Sequence, residues 1–374
     1  MLNYEKRLLS PLACVVLALS GTACGSSVDL SPGAQISASN DPDVLGVINE
    51  DVGQIAVDDQ RVYWIGQRGT TAALRSCEKA NCVNTLISYA TSGVAPLAGF
   101  AVRQGEVYWF SFDSEDATWW WTLRACASSG CGTGARSVAS SAATNGSPIS
   151  AFSNDTVYLT STTEAEVLSF PLDGTAAEPR HLHVIDKPII SMAVAGEYLY
   201  ELTIPNGPEL SGGVLRVKTD GSEPVQILAT DSRIAQIVQS LAAQRTLAVN
   251  SSGIYWIESS LYGTIAHCPT AGCVGNEPPL IEPVRSPYSL LLDGGNIYWQ
   301  NETASHGSAL SGCTLTGCVA SAPLASELDG TTVVAADDDY LYAATAEGTT
   351  ESNLRTTNPY ASIRRIAKLT GQAQ

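Results

Sequence analysis

The stretch Arg61-Val62-Tyr63-Trp64 recurs, in altered form, seven times along the 374-residue chain. In every copy an aliphatic residue is followed directly by tyrosine. The seven tyrosines are Tyr63, Tyr108, Tyr158, Tyr200, Tyr255, Tyr298 and Tyr342. Their spacings are 45, 50, 42, 55, 43 and 44 residues. A steady period of this length, carried by β-branched and aromatic strands, is typical of a β-propeller.

A second motif occurs once in each repeat, between 9 and 21 residues after the tyrosine. Its seven copies are Leu74-Arg75, Leu123-Arg124, Val167-Leu168, Leu215-Arg216, Thr264-Ile265, Ala309-Leu310 and Ile363-Arg364. In the first repeat the pattern predicts four strands, at Gln54–Val57, Val62–Ile65, Ala73–Cys77 and Cys82–Ser88. The sequence therefore predicts an all-β fold over residues 43–374, a seven-bladed β-propeller of four-stranded antiparallel blades.

The last repeat is too short to complete its own blade. After Ile363-Arg364-Arg365-Ile366 only eight residues remain, and they are mostly polar. Residues Asp43–Ile48, just before the first repeat, have the composition of a strand. We expect this N-terminal strand to pair beside residues 361–366 and close the ring, which removes an exposed sheet edge.

The first 23 residues have the pattern of a secretory signal peptide. Lys6 and Arg7 precede an apolar run that is too short to span a bilayer, and small residues lead to Cys24. This arrangement resembles a bacterial lipobox, whose cysteine is lipidated. A lipobox commonly has leucine where this chain has Gly21, so plain secretion is the alternative. Residues 24–42 are predicted to be a flexible tether.

The chain is strongly acidic, with a formal net charge of −17. Removing residues 1–23 takes away one acid and two bases, which brings the charge to about −18. This charge argues against nucleic-acid binding and against docking on anionic lipid. We expect a monomer that meets the membrane only through a lipid anchor. The expected location is a bacterial cell envelope, outer-membrane-anchored or periplasmic.

Eight of the ten cysteines form four pairs with the same spacing. The pairs are Cys77 with Cys82, Cys126 with Cys131, Cys268 with Cys273, and Cys313 with Cys318. Each pair brackets the turn between the third and fourth strands, where two cysteines can reach disulfide geometry. Export favours oxidation, so four disulfides are predicted. The alternative is zinc, which would require two pairs to meet although their turns lie on the outer rim.

The repeats that carry a cysteine pair also carry tryptophan after the recurring tyrosine. These tryptophans are Trp64, Trp109, Trp256 and Trp299. The simplest interpretation is local packing between neighbouring strands.

The sequence offers little that indicates catalysis. The four histidines are His181, His183, His267 and His306, and none belongs to a familiar catalytic motif. No metal or cofactor is predicted, although calcium at the acidic turns is an alternative. The alternative function is a metal-assisted lyase or hydrolase with its site at the central channel.

The repeat resembles those of YWTD-type propellers and, more closely, those of uncharacterised bacterial lipoproteins with Tyr-Trp propeller repeats. The Thr-Asp that follows Tyr-Trp in the first family is replaced here, for example by Ile65-Gly66. The resemblance implies an extracellular binding module. The favoured function is a non-catalytic binding or scaffold module for protein, peptide or glycan.

Loop length points to a candidate binding face. Four loops between second and third strands are predicted to be long, over Ser111–Thr118, Thr203–Gly212, Asn301–Gly307 and Ala346–Pro359. Asp113, Asp116, Trp119 and His306 are predicted to border one recognition surface, and tolerated surface insertion is the alternative.

The connection from the fourth to the fifth repeat is predicted to hold one helix. Asp231-Ser232 can cap it, and the apolar spacing through residue 241 is helical.

Overall fold

The computed structural model describes residues 36–369 with short interruptions. The residues it leaves out are 1–35, 93–96, 116–117, 133, 144–147, 161–165, 176–177, 185–186, 206–211, 232–244, 259–261, 274–278, 303–307, 319–321, 329–333, 347–360 and 370–374. The helix predicted after residue 231 lies outside the described residues, and Asp231 itself ends a strand. No described helix is long and apolar enough to cross a membrane.

Seven antiparallel sheets follow one another along the chain, as the repeat predicted. Six sheets have four strands and the closing sheet has five. Blade 1 holds β3 (Asp51–Val57), β4 (Arg61–Arg68), β5 (Thr71–Glu78) and β6 (Ile87–Ser92). Blade 2 holds β7 (Ala98–Arg103), β8 (Glu106–Glu115), β9 (Thr118–Ala127) and β10 (Arg136–Ala143). Blade 3 holds β11 (Ser150–Phe152), β12 (Thr156–Thr160), β13 (Glu166–Pro171) and β14 (Arg180–Val184).

The remaining blades repeat this order. Blade 4 holds β15 (Ile189–Ala195), β16 (Tyr198–Thr203), β17 (Gly212–Lys218) and β18 (Gln226–Asp231). Blade 5 holds β19 (Leu247–Asn250), β20 (Gly253–Ile257), β21 (Tyr262–Cys268) and β22 (Ile281–Arg285). Blade 6 holds β23 (Pro287–Asp293), β24 (Asn296–Glu302), β25 (Ser308–Thr314) and β26 (Ala322–Leu328). Blade 7 holds β27 (Ala335–Ala336), β28 (Tyr340–Ala346) and β29 (Ala361–Ala367), joined by β1 (Ile36–Ser37) and β2 (Val44–Ile48).

The two ends of the chain close the ring, as predicted. Strand β2 pairs antiparallel with β29, with Val47 opposite Ser362. The sequence assigned Ile36 to the tether, but Ile36 pairs with Ile48 as a fifth strand of blade 7. Gly46 makes room for this extra strand, because a Cβ at Gly46 would lie 2.8 Å from Cγ2 of Ile36. The folded part of the chain therefore begins by Ile36 rather than at residue 43.

The fourth strand of blade 1 starts later than predicted. Residues Cys82–Asn84 form a short 3₁₀ helix, and the strand runs over Ile87–Ser92 instead of Cys82–Ser88. The turn is held by a bond from the amide of Asn81 to the carbonyl of Glu78 and by the bridge at Cys82. Because the bridge keeps Cys82 beside β5, the chain must complete a turn before it can run back as a strand.

The recurring tyrosine and tryptophan pack on opposite faces of their strand. Tyr63 joins the apolar cluster between blades 1 and 2, whereas Trp64 joins the cluster between blades 7 and 1. Side chains alternate across a strand, so each Tyr-Trp pair binds a blade to both of its neighbours. The same alternation holds at Trp109 (between blades 1 and 2), Trp256 (between blades 4 and 5) and Trp299 (between blades 5 and 6).

The four predicted cysteine pairs lie at disulfide distance. The Cα–Cα separation is 4.7 Å for Cys77 and Cys82, 5.0 Å for Cys126 and Cys131, 5.2 Å for Cys268 and Cys273, and 5.2 Å for Cys313 and Cys318. The first cysteine of every pair lies in the same apolar cluster as the tryptophan of its blade, for example Cys77 with Trp64. This supports the interpretation that bridge and indole fill one interface together.

The second cysteines differ from the first in burial and in local structure. Cys82 is buried, whereas Cys131, Cys273 and Cys318 are only half-buried and pack against the edge of their clusters. In each of these four blades the fourth strand begins after the second cysteine, at Ile87, Arg136, Ile281 and Ala322. The bridge therefore fastens the end of the third strand to the turn, rather than joining two paired strands.

Candidate binding site

The interface between blades 3 and 4 is built differently from its neighbours. Strand β16 reads Tyr200-Glu201, so a carboxylate stands where four other blades have an indole. Glu201 is fully buried, and its Oε1 lies 2.7 Å from Nε2 of His183 on the outer strand of blade 3. Nδ1 of His183 and Oε2 of Glu201 are buried without a partner among the described residues. The pair is closed off from solvent, so it fills the interface rather than presenting a reactive nitrogen to a substrate.

Tyr158 faces the same interface from blade 3. Burial raises the pKa of its hydroxyl, although hydrogen bonds with Thr219, Thr156 and Ser153 act in the opposite direction. The hydroxyl therefore remains protonated at neutral pH and adds no charge to this interface.

A groove opens at the outer end of this interface. Val184, Val225 and Ile227 are the exposed large hydrophobic residues of the described part of the chain, with exposed fractions of 69, 36 and 68%. All three line the groove, which has a volume of about 460 Å³. The lining also includes Lys187, Thr203, Gly212, Gly213, Leu215 and Thr230. Isolated exposed aliphatic residues are ordinary, but their convergence on one concave surface is characteristic of a binding site.

The sequence of blade 4 explains why the groove stays open. Gly212 and Gly213 begin β17 without side chains, and both line the groove together with Thr203. The hydroxyl of Thr203 donates to the carbonyl oxygen of Gly213 at 3.2 Å. A Cβ on Gly213 would lie 3.0 Å from the carbonyl oxygen of Ala229, so this position does not readily accept a larger residue.

Polar contacts hold the outer strand of blade 3 beside blade 4. Arg180 donates to the carbonyl oxygen of Asp220 in blade 4. Within blade 3, Nδ1 of His181 meets the Glu166 carboxylate. Strand β14 is the outermost strand of its sheet, and so is β18 across the groove. Each therefore has one edge without a neighbouring strand in the same sheet.

The recognition surface predicted from loop length lies largely outside the described residues. The side chains of Asp113 and Trp119 and the whole of Asp116 and His306 belong to that undescribed part. The described residues therefore do not test whether these four side chains share one surface, and their role stays a prediction.

One of the four predicted loops is wrong. Residues 111–115 and Thr118 belong to strands, with Asp113 paired opposite Trp120. Trp121 is buried and meets Phe110 and Phe170 edge-on, at 5.7 and 5.9 Å between ring centroids. Aromatic residues favour strands, and this packing extends the hairpin through the acidic stretch. The other three loops agree with the observed strand ends.

Sequence reasoning missed the groove, although one signal was present. Blades 3 and 4 lack both the cysteine pair and the tryptophan, and Glu201 occupies the tryptophan position.

Among the described residues, no three His, Cys, Asp or Glu side chains are grouped so as to hold a metal ion.

Comparisons with known proteins identify the fold and no closer relationship. No protein-family model matches the sequence, and no curated protein matches it either. Among solved structures, the WD40 β-propeller domain of Doa1 is similar at a TM-score of 0.52 and 12% identity, covering 88% of this chain and 96% of that one. The uncharacterised protein lmo1340 from Listeria monocytogenes EGD-e is similar at 0.51 and 10% identity, covering 79% and 89%.

A prolyl endopeptidase is also similar, at a TM-score of 0.52 and 12% identity. That match covers 81% of this chain but only 47% of the endopeptidase chain. Identities this low show the β-propeller fold alone, because one fold supports many functions.

Proposed function

We propose that this chain is a non-catalytic binding module whose groove between blades 3 and 4 holds an extended peptide segment with aliphatic side chains. The observation that carries the proposal is the convergence of Val184, Val225 and Ile227 on one groove. Water-exposed apolar area of this kind is costly unless a partner covers it.

An extended peptide matches both the lining and the strand edges. Strands β14 and β18 border the groove, and each is outermost in its sheet. A peptide strand added to such an edge gains main-chain hydrogen bonds, while a neighbouring apolar pocket selects alternate side chains. The volume of about 460 Å³ falls within the usual range for ligand pockets.

The test is selection of peptides from a displayed random library on the oxidised mature protein. Enriched peptides should carry aliphatic residues at alternate positions. Ile227→Asp should weaken their binding by about tenfold or more, because a carboxylate would then be desolvated in the groove. Ser140→Asp is the matched control, since Ser140 is exposed on the outer strand of blade 2.

The control variant should bind as the unmodified protein does. Failure to enrich any peptide, or equal binding by Ile227→Asp, would remove the groove as the binding site. Binding of immobilised glycans in place of peptides would overturn the choice of partner.

We also propose that the module is exported and held in the cell envelope by a lipid on Cys24. The support is the charged start, the apolar run and the small residues that precede Cys24. Cells grown with labelled palmitate should label the protein, and Cys24→Ala should abolish the label. An unlabelled but secreted protein would favour plain secretion instead.

A further inference from the structure

The groove between blades 3 and 4 has two ends that differ in chemistry, and strand register sets both of them. At one end Thr203, Gly213 and Thr230 lie side by side on β16, β17 and β18. Further along the same strands, Leu215 lies opposite Ile227. All five residues line the groove. We call the first group the polar end and the second the apolar end, to which Val225 also belongs.

Lys187 lies at the polar end. The carbonyl oxygen of Pro188 accepts a hydrogen bond from the amide of Ile204, and Ile189 pairs with Thr203. The backbone of Lys187 is therefore fixed beside the end of β16, and its half-buried side chain lines the groove. Lys187 is the one charged side chain among the described residues of the lining.

The buried acid of this interface does not neutralise the lining. Glu201 pairs with Leu215 between β16 and β17, and its Oε1 meets Nε2 of His183 at 2.7 Å. Neither Glu201 nor His183 is among the described lining residues. The described lining therefore presents a cation and no acid to a ligand, although the chain as a whole is acidic. Its charge is complementary to a carboxylate.

The length of the groove determines how many ligand residues it holds. The span from Val225 to Thr230 is five residue steps along β18 and the residue before it, or about 17 Å at the rise of an extended strand. An extended peptide of about five residues covers this span. Its first, third and fifth side chains point to the same face, so those three meet the lining.

The direction of the neighbouring strands sets the direction of the peptide. Strands β14 and β18 are both the fourth strand of their blades, so they run the same way relative to the ring axis. Strand β18 runs from Gln226 beside the apolar end to Asp231 beside the polar end. Antiparallel pairing is the more stable arrangement. An antiparallel peptide therefore starts at the polar end and finishes at the apolar end.

We propose that the groove selects an extended peptide in which an acidic residue is followed, two and four positions later, by aliphatic residues. The carboxylate pairs with the Lys187 ammonium, and the aliphatic side chains cover the apolar end. This inference rests on the proposed peptide-binding function and adds the charge, the order and the direction of the ligand.

Three capped peptides test it by fluorescence anisotropy on the oxidised mature protein. The forward peptide carries glutamate, valine and isoleucine at alternate positions, the second has the reverse order, and the third replaces glutamate by glutamine. At low salt the forward peptide should bind about fivefold more tightly than the glutamine peptide. High salt should narrow this difference. The reversed peptide should bind at least about fivefold more weakly than the forward one, because its carboxylate meets the apolar end.

Variants of the protein assign the preference to one side chain. Lys187→Gln should bind the forward and glutamine peptides equally, with its affinity for the glutamine peptide unchanged. Lys187→Arg keeps the charge and should keep the preference for glutamate. Arg285→Gln is the matched control, because Arg285 is exposed on β22 of blade 5 and its replacement changes the net charge equally. This control should also keep the preference.

The outcomes separate this inference from the proposed function. Binding of none of the three peptides would overturn both. Peptide binding with no preference for glutamate, with a preference for the reversed order, or with an unchanged preference in Lys187→Gln would overturn the inference and leave the peptide-binding function standing. Displacement of the forward peptide by an equal concentration of decanoate would identify an acyl chain with a carboxylate as the ligand, and would overturn both.

Discussion

The recurring tyrosine acts through its hydroxyl as well as its ring. The hydroxyl of Tyr63 donates to Oδ2 of Asp58 at 2.5 Å, and that of Tyr342 donates to Oδ2 of Asp337 at 2.6 Å. Each acid lies in the turn that precedes its strand. Burial, together with the bond to Glu106, raises the pKa of Tyr108 to about 12. The ring packs on the next blade while the hydroxyl holds the turn.

This arrangement predicts unequal effects of the same substitution. Tyr63→Phe removes a bond to a carboxylate and should lower the free energy of unfolding by about 1–2 kcal/mol. Tyr255 stacks on His267 at 6.0 Å and forms no side-chain hydrogen bond with a described residue. Tyr255→Phe should therefore cost less than about 0.5 kcal/mol. Urea unfolding of both variants measures the difference, and equal losses would contradict the role assigned to the hydroxyl.

At the scale of single residues, the sequence predicted the residues that recur in every blade and missed the contacts that occur only once. The tyrosine is visible because its period follows the blade. The contact between His183 and Glu201 crosses the interface between blades 3 and 4, which come together only in the folded ring. Contacts of this kind depend on the three-dimensional ring, so no local pattern in the sequence reports them.

Among the elements, the turns join blade to blade. Lys79, in the third turn of blade 1, lies with its Nζ 2.5 Å from Oδ2 of Asp337, in the first turn of blade 7. Burial alone would raise the pKa of Asp337, but bonds from Lys79, from Tyr342 and from two backbone amides lower it to about 2. The contact fastens the two blades at which the ring closes.

This contact predicts a defined response to acid. The pKa of Asp337 is lower in the folded chain than its ordinary value of 3.8. Its contribution to stability is therefore complete above about pH 4 and is lost as the pH falls toward about 2. Asp337→Asn should cost up to about 2 kcal/mol at neutral pH and almost nothing near pH 2.

Urea unfolding across this pH range provides the measurement. Asp59→Asn is the control, because Asp59 is an exposed acid in the equivalent turn of blade 1. A constant difference between Asp337→Asn and the unmodified protein at every pH would show that the carboxylate charge is not the cause.

The sequence predicted which strands exist more accurately than it predicted where each strand ends. The acidic residues after Ser111 were interpreted as a loop, but β8 continues to Glu115 because its partner strand is rich in tryptophan. The tryptophans were expected to pack between neighbouring strands, and the structure places them beside the first cysteine of each pair, between neighbouring blades. Nε1 atoms of Trp64, Trp109 and Trp256 are buried without a partner in the described part of the chain, so these indoles stabilise by packing.

For the whole molecule, closure depends on a strand that comes from the opposite end of the chain. Strand β2 covers β29, and surface pairs between Arg364 and Asp41 (3.1 Å) and between Arg365 and Asp43 (3.3 Å) flank it. Exposed pairs contribute little, so the backbone ladder and the apolar face of β2 supply most of the closure.

Two truncations test this closure. Deleting residues 1–49 leaves an edge of β29 unpaired, so the protein should dimerise or aggregate and melt at a lower temperature. Deleting residues 1–35 keeps β1 and β2 and should leave a monomeric ring. Size-exclusion chromatography with light scattering, on proteins made in an oxidising compartment, compares them. A monomeric and equally stable 1–49 deletion would show that the ring does not need this strand.

The buried pair at the interface between blades 3 and 4 has a mechanical consequence. A closed ring under load yields first where its joints are most compliant, and stiffness here follows from tight apolar packing. Four joints contain an indole and a bridge, whereas this one combines the polar pair of His183 and Glu201 with a small apolar cluster. Because the groove opens at the outer end of this same interface, we expect a shift of blade 3 against blade 4 to change the width of the groove.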